Sequence, residues 1–167
     1  MKRLLLALPL VLAACGFQLR GTADVPFETI YVPTVAGGIG LELKRNIQAG
    51  TNAKVVDDAK RAEAVMEFTE ETRTKEILSL TGTGRVREFQ LRYRVGFRVH
   101  DGKGRDFLPT STVQLTRDIT FNDSDVLAKE TEEQLLYRDM QSDMVQQILR
   151  RLSAVNKPPP QPEQKGR

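Results

Sequence analysis

The stretch Glu88–His100, with the sequence EFQLRYRVGFRVH, alternates apolar and polar residues over its whole length. The apolar residues take every odd position: Phe89, Leu91, Tyr93, Val95, Phe97 and Val99. The even positions after Glu88 hold polar residues and one glycine: Gln90, Arg92, Arg94, Gly96, Arg98 and His100. Because successive side chains of a strand point to opposite faces of a sheet, this pattern predicts one strand with a packed apolar face and a basic face toward solvent or a polar partner.

A tight turn follows this strand and predicts a hairpin. The turn has the sequence Asp101-Gly102-Lys103-Gly104, in which the Asp-Gly pair suits a backbone with positive φ. The chain then returns as a strand near 107–119. Pro109 must lie at the beginning of that strand or on a sheet edge, because proline cannot donate a hydrogen bond to a neighbouring strand.

Two further strands are predicted upstream of the hairpin. Pro26 and Pro33 enclose the β-rich run 27–32, which predicts a first strand. The segment from about 63 to 72 predicts a second, with Ala64, Met66 and Phe68 on one face and more polar residues on the other.

Two segments have helical periodicity. Their apolar residues lie four apart, as Ile39, Leu43 and Ile47 in the first segment and as Leu136, Met140, Met144, Ile148 and Leu152 in the second. We predict a helix over 39–49 with Gly50 at its C-cap, and a helix over 125–152 that is roughly 40 Å long at 1.5 Å per residue. Methionine at this spacing is typical of core packing and not of a cofactor site.

The order of these elements, β-α-β-β-β-α, predicts an α+β fold. We expect a two-layer sandwich, in which a four-stranded, mostly antiparallel sheet carries both helices on one face. The chain of 167 residues is long enough for one such domain, which we place at 15–156. The segment 157–167 is rich in proline and charge, and we expect a disordered tail there.

The first fifteen residues indicate a lipoprotein signal peptide. Lys2 and Arg3 precede a short apolar stretch that ends in Leu12-Ala13-Ala14-Cys15, and Cys15 is the only cysteine of the chain. This stretch resembles a bacterial lipobox, in which the signal 1–14 is removed and Cys15 receives an N-acyl diacylglyceryl lipid. The alternative is an ordinary signal peptide that leaves Cys15 free. By resemblance to other lipoproteins, Gly16 after the cysteine favours the outer membrane.

Composition excludes several functional classes. With one histidine, one cysteine and no G-x-x-x-x-G-K-[ST] loop, the chain lacks a Cys/His zinc cluster and a nucleotide-binding P-loop, and we expect no metal and no cofactor beyond the lipid. The net charge of +3 comes from the two terminal segments. These segments hold five basic residues and one acidic residue: Lys2, Arg3, Lys157, Lys165, Arg167 and Glu163. The remaining body is nearly neutral, which argues against a nucleic-acid-binding protein.

Two stretches of the sequence form a recognisable pair of motifs. The first is Cys15-Gly16-Phe17-Gln18-Leu19-Arg20-Gly21, directly after the signal. The second runs through the last strand and helix, as Arg117-Asp118, Asn122-Asp123, Leu127-Ala128-Lys129-Glu130, Glu133, Arg138-Asp139-Met140 and Arg150-Arg151-Leu152. Together they resemble the LptE family of lipopolysaccharide-assembly lipoproteins, also called rare lipoprotein B. The predicted order of elements is also the order of that family.

The resemblance implies a non-enzymatic protein of the outer membrane. It would lie as a plug inside the β-barrel protein LptD, support the assembly of that barrel, and bind lipopolysaccharide during transfer to the cell surface. Its lipid would hold it at the periplasmic face, with the domain in the barrel lumen. Barrel interiors are polar, so Arg92, Arg94 and Arg98 on the polar strand face are candidates for contact with LptD. The alternative for these arginines is a solvated strand face.

Lipopolysaccharide carries phosphates, which arginine and lysine bind through charge-assisted hydrogen bonds. The first candidate ligand is Lys129, in the family-like segment at the start of the last helix. Arg85 and Arg87, beside the Gly82-Thr83-Gly84 turn, and Arg117 come next. Each of the four is also consistent with an ordinary surface residue unless they converge at one end of the domain.

Two other classes of function remain open at this point. One is an independent lipid- or peptidoglycan-associated lipoprotein with the same anchor and no barrel partner. The other is a hydrolase that uses two carboxylates among Glu67, Glu70, Glu71, Glu130 and Glu133. Glycoside hydrolysis needs two carboxyl groups across a cleft, so a flat surface at these glutamates would argue against the hydrolase.

Overall fold

The computed structural model describes residues 24–122 and 124–155 as one mixed sheet with two helices. The strands are β1 (Thr29–Tyr31), β2 (Lys54–Val56), β3 (Ala64–Leu80), β4 (Val86–His100) and β5 (Asp106–Thr120). The helices are α1 (Gly40–Gly50) and α2 (Val126–Ser153), with a 3-10 turn at Ala59–Arg61. The signal segment 1–14, Cys15 and the tail 157–167 lie outside the described residues.

The sheet has five strands in the order β2-β1-β3-β4-β5. The prediction of a four-stranded, mostly antiparallel sheet is therefore wrong in the number of strands and in the direction of their pairing, because two of the four pairings are parallel. β1 pairs in parallel with both β2 and β3, whereas β3, β4 and β5 form an antiparallel meander. Sequence patterns missed β2 because three residues are too few to show a period of two. The α+β class and the two helices are as predicted.

The alternation along β4 builds the core. Its odd residues from Leu91 to Val99 are fully buried beneath the helices, while Arg94 on the even face is exposed. Four residues of α2 pack on this face at helical spacing: Met140, Met144, Ile148 and Leu152. Burying an apolar side chain of this size stabilises a fold by roughly 1.5–3 kcal/mol. The methionines are therefore core residues, as predicted.

A β-bulge between Phe68 and Glu70 exchanges the two faces of β3. Met66, before the bulge, is buried in the core, and Arg73, after it, reaches α2 and donates to the Gln141 side chain at 2.6 Å. Gly96 lies opposite the bulge, where a Cβ atom would come within 2.6 Å of the Thr69 hydroxyl oxygen. The bulge therefore determines which β3 side chains contact the helices and which lie on the other face of the sheet, which carries no helix and is called the open face below.

The two helices lie side by side and are joined by polar contacts. The Glu42 carboxylate of α1 accepts hydrogen bonds from Gln141 Nε2 at 2.8 Å and Ser142 Oγ at 2.7 Å, both on α2. Gly50 is the last residue of α1 and has no positive φ, so the prediction of a glycine C-cap is wrong. Thr51 ends the helix instead, because its backbone N–H and its hydroxyl both donate to the Ile47 carbonyl.

A carboxylate of β3 caps the beginning of α1. The helix has no side-chain cap from its own N-terminal residue, and Glu71 Oε1 accepts the Ile39 N–H at 3.1 Å. The same oxygen accepts the Tyr93 hydroxyl at 2.6 Å. Burial raises the pKa of Tyr93 and so keeps its hydroxyl protonated as a donor. A negative charge at a helix N-terminus is favourable, so Glu71 joins α1 to the middle of the sheet.

We expect Glu71→Ala to destabilise the domain by about 1–3 kcal/mol, because it leaves the Ile39 N–H and the Tyr93 hydroxyl without an acceptor. Urea unfolding of the purified protein in mild detergent, followed by circular dichroism, measures this. The matched control is Glu76→Ala, which removes only an exposed ion pair with Arg92 and should cost about 0–1 kcal/mol. Equal losses for the two variants would contradict the capping role of Glu71.

Candidate functional site

The sheet has two ends, and three of the four predicted ligand-binding residues lie at one of them. We call this end the tip and define it as residues 77–88, 119–122 and 124–130. The tip is formed where Leu80 pairs with Val86 and Glu88 with Thr120, and where the Phe121 N–H donates to the Arg87 carbonyl at 2.8 Å. The opposite end, the base, comprises residues 24–28, 59–63, 100–107 and 150–155, where the described chain begins and ends.

A cavity of about 260 Å³, the tip pocket, opens between the sheet and the first turn of α2. Its lining residues are Lys75, Phe89, Ile119, Phe121, Val126, Lys129 and Glu130. The Phe89 and Phe121 rings meet edge to face, with centroids 5.3 Å apart. Lys75 Nζ lies 4.4 Å from the Phe89 centroid and 2.6 Å from a Glu133 carboxylate oxygen. The pocket thus combines an apolar floor with two ammonium groups at its wall.

Lys129 and Arg87 both lie at the tip. The Lys129 side chain is 20% exposed, and its Nζ contacts Thr120 Oγ1 at 3.2 Å and Glu132 at 2.8 Å. The hydrogen bond from the Phe121 N–H to the Arg87 carbonyl places Arg87 beside Phe121, and the Arg87 guanidinium contacts the Glu88 carboxylate at 3.2 Å. Hydrogen bonding from Ser79 and from Arg87 holds the pKa of Glu88 below its ordinary value, so this carboxylate stays charged.

The other two candidates are placed differently. Arg85 belongs to the turn between β3 and β4, where its carbonyl accepts the Thr81 N–H at 2.7 Å, so it lies at the tip. Arg117 lies along α2 and pairs with Asp143 at 2.8 Å. Asp143 is 14 residues beyond Lys129, about 21 Å along the helix at 1.5 Å per residue. The structure therefore brings three of the four candidate ligands to the tip and leaves Arg117 away from the pocket.

Lys75 is a pocket residue that sequence patterns did not indicate. It lies beyond the bulge, in the part of β3 that the strand prediction of 63–72 left out. The residues 73–80 are mostly exposed and show no alternation of burial, so no periodic signal marks them. Only the register with β4, where Lys75 pairs with Leu91, places its side chain beside α2.

The open face of the sheet carries the three arginines predicted to face a partner. Each of them pairs with a glutamate of β3: Arg92 with Glu76 at 3.0 Å, Arg94 with Glu70 at 3.1 Å, and Arg98 with Glu67 at 2.6 Å. All six side chains remain partly exposed, so each pair contributes at most about 1 kcal/mol to stability. The open face is thus a surface of alternating charges and not a free basic strip.

The five glutamates considered for a hydrolase do not share one cleft. Glu67 and Glu70 pair with arginines on the open face, and Glu71 caps α1 on the other face. Glu133 pairs with Lys75 near the tip, where Glu130 lines the pocket. Within residues 24–122 and 124–155, no group of three or more histidine, cysteine or carboxylate side chains could hold a metal ion.

Solved structures of bacterial lipoproteins have this fold. The solution structure of lipoprotein B from Nitrosomonas europaea is 47% identical to this chain, covers 83% of it and 91% of its own length, and has a TM-score of 0.71. Rare lipoprotein B from Shewanella oneidensis has a TM-score of 0.64 at 24% identity, covers 76% of this chain and 95% of its own, and shows the likeness of fold alone. The shared fold and the 47% identity to the Nitrosomonas protein place this chain in a class of small bacterial lipoproteins.

Sequence comparison then identifies the family. The family model LptE, described as lipopolysaccharide-assembly, matches residues 27–152. LPS-assembly lipoprotein LptE of Yersinia pestis (strain Pestoides F) is 31% identical over an alignment 152 positions long, which covers 88% of this chain and 72% of that protein. The same protein of Pectobacterium atrosepticum is 28% identical and matches 88% of this chain and 81% of its own. The chain belongs to the LptE family.

The family membership confirms the resemblance to the LptE family that the two sequence motifs indicated, and it supports a role of this protein in lipopolysaccharide assembly and transport. The LptE family comprises lipoproteins of the cell envelope and is not known for an enzymatic activity. In the part of the chain that the structure describes, neither helix is both long and apolar enough to cross a bilayer.

Proposed function

We propose that the protein is a plug of the outer-membrane β-barrel LptD, which it helps to assemble, and that its tip binds lipopolysaccharide during transfer to the cell surface. An N-acyl diacylglyceryl lipid on Cys15 holds it to the periplasmic leaflet. The single observation that supports the binding site is the tip pocket, which Lys129 and Lys75 line together with the Phe89 and Phe121 rings. Arg87 lies next to the pocket, where its carbonyl accepts the Phe121 N–H.

The chemistry of the tip matches that of lipopolysaccharide. The ligand is amphipathic, with phosphates that cations bind and acyl chains that apolar surfaces bind. Large apolar side chains are exposed around the pocket, and Leu127 is 81% exposed. The others at the tip are Ile77, Leu78, Leu80 and Val126. A concentration of exposed apolar residues beside cations is typical of a binding surface and not of an ordinary solvated face.

The polar open face suits the lumen of a barrel. Its paired arginines and glutamates can exchange partners with the charged groups that line a barrel interior, without burying an unpaired charge. α2 has 28 residues and is therefore about 42 Å long, so it separates the tip from the base by most of the length of the domain. A chain anchored near its base can thus hold the tip well away from the periplasmic leaflet.

The barrel partnership is tested by purification of the tagged protein from outer membranes in mild detergent. We expect it to carry LptD with it in a one-to-one ratio, because a plug is enclosed by its barrel. Recovery of the acylated protein without any large β-barrel would contradict the plug and favour an independent envelope lipoprotein.

Lipopolysaccharide binding is tested by charge reversal at the tip. We expect Lys129→Glu/Arg87→Glu to weaken binding at least about tenfold, since charge-assisted hydrogen bonds contribute about 1.5–3 kcal/mol each. Titration of the purified protein with labelled lipopolysaccharide measures the change. The control Arg45→Glu/Arg138→Glu reverses two exposed cations outside the tip and should bind normally. Undiminished binding by the tip variant would place the site elsewhere.

A further inference from the structure

A second basic site lies at the base, remote from the tip pocket. A cleft of about 750 Å³ opens between the 3-10 turn Ala59–Arg61 and the β4–β5 turn. Four cationic side chains line this base cleft: Lys60, Arg61, Lys103 and Arg105. Its floor includes the apolar side chains of Val65 and Phe107. The function proposed above makes no use of this cleft.

The two acidic residues of the base cleft are occupied by backbone groups. The Glu63 carboxylate accepts the Glu28 N–H at 2.9 Å. Asp101 Oδ1 accepts the N–H of Lys103 at 2.7 Å and of Arg105 at 3.1 Å, and these bonds hold the pKa of Asp101 below its ordinary value. Both carboxylates are therefore fixed structural elements of the turns that surround the cleft.

Three of the four cations that line the cleft have no ion-pair partner in contact with them in the part of the chain that the structure describes. Among residues 24–122 and 124–155, Lys60, Arg61 and Lys103 form no ion pair and donate no side-chain hydrogen bond. This differs from the open face, where each of the three arginines has a glutamate partner. An anion can therefore bind at the base without first breaking an ion pair of these three cations.

The described chain begins at the base, nine residues after Cys15 in the sequence. Thr29, the first residue of β1, lines the cleft, and the chain reaches it through Asp24 and Phe27. Nine residues lead from Cys15 to Asp24, and an extended chain of that length spans at most about 30 Å. The C-terminal segment departs from the same end, since Val155 and Asp24 line one neighbouring hollow.

We propose that the base cleft binds the phosphate headgroups of anionic glycerophospholipids in the leaflet that holds the lipid anchor. The inference rests on the Cys15 anchor of the proposed function. A basic patch near an acyl anchor provides a second membrane contact, and two contacts restrict orientation where one does not. The base is held against the headgroups, and the tip with its apolar pocket points away from the leaflet. The cleft therefore orients the domain for entry into a barrel.

The test uses the full acylated protein in vesicles and hydrogen–deuterium exchange as the readout. One vesicle is phosphatidylethanolamine with about 30 mol% phosphatidylglycerol, and the other replaces the phosphatidylglycerol with phosphatidylcholine. We expect the amides of 59–63 and 101–105 to exchange at least about threefold more slowly on the anionic vesicle. High salt should remove the difference, because it screens exposed charges.

Charge reversal locates the effect. We expect Lys60→Glu/Lys103→Glu to remove the protection, and Arg45→Glu/Arg138→Glu, which reverses the same number of exposed cations elsewhere, to keep it. The buried β4 amides should exchange alike in all variants, which shows that the fold is intact. A third vesicle, with lipopolysaccharide in place of phosphatidylglycerol, distinguishes the two sources of phosphate. Protection by lipopolysaccharide alone would overturn the assignment to glycerophospholipid.

The outcomes separate this proposal from the proposed function. Equal exchange on neutral and anionic vesicles, with the protein bound to both, overturns the base cleft and leaves the anchor and the tip intact. Failure to float with either vesicle contradicts the Cys15 anchor and the orientation that depends on it. Loss of lipopolysaccharide binding in the tip variant is a separate measurement, because its two residues lie at the other end of the domain.

Discussion

Cys15→Ala should abolish acylation while leaving the domain folded. The thiol is the only nucleophile that the lipobox offers, and each methylene buried in a bilayer contributes about 0.8 kcal/mol to the binding of an acyl chain. The three acyl chains of the proposed anchor would bind the bilayer far more firmly than a single chain, so we expect their removal to cause a large loss of membrane binding. The helices and strands of the domain lie between Thr29 and Ser153, so the substitution changes none of their residues.

Palmitate labelling of whole cells, followed by sucrose-gradient fractionation, measures the loss. We expect no label in the variant and recovery of the protein in the soluble periplasmic fraction wherever LptD is depleted. Depletion of the barrel matters, because a plug can stay at the membrane through its partner alone. The control Gly16→Ala keeps the cysteine and should be labelled normally. Label at the level of the wild type in Cys15→Ala would refute the anchor.

The core could be predicted from the sequence because a few segments carry strong periodic signals. The alternation in 88–100 assigned the buried face of β4 correctly, and the four-residue spacing of Met140, Met144 and Ile148 assigned the buried stripe of α2. Both patterns are long enough to repeat several times. By contrast, β2 has only three residues and depends on pairing with β1 for its conformation, so no local pattern marks it.

The candidate site could be predicted only in part, because it depends on register. Residue type and the family motif indicate Lys129. Lys75 lines the pocket because the bulge in β3 turns its side chain toward α2, and this bulge has no sequence signature. Arg117 has the right chemistry for a phosphate ligand, but the packing of β5 on α2 pairs it with Asp143. Spacing in the sequence does not show such a partner.

The charge of the open face could not be predicted from the sequence of β4 alone. The even positions of β4 predict a basic face, and this face also carries glutamates of β3 that neutralise it. Their alignment depends on the shift between Phe68 and Glu70, since the bulge moves Glu70 and Glu76 onto the face of the arginines. A surface of alternating charges binds polar partners of either sign, which suits a lumen more than it suits a polyanion.

Gly40 is the position where the connection between β1 and α1 leaves least room. The residue begins α1 and is buried. A Cβ atom built there would lie 2.1 Å from the Pro33 carbonyl oxygen and 3.3 Å from Cε2 of Phe68. The obstacle is backbone, so it cannot be relieved by a change of rotamer. Glycine is thus needed here for close approach and not for an unusual φ, and no residue pattern marks it in the sequence.

Gly40→Ala should therefore destabilise the domain by at least about 2 kcal/mol, the cost of overpacking a site that cannot yield. The matched control is Gly50→Ala, at the other end of the same helix. A Cβ atom there meets nothing within 4 Å, so helix propensity should make this change neutral or stabilising by up to about 1 kcal/mol. Urea unfolding in mild detergent measures both. If Gly40→Ala unfolds at the same urea concentration as wild type, α1 must begin further from Pro33 than the structure places it.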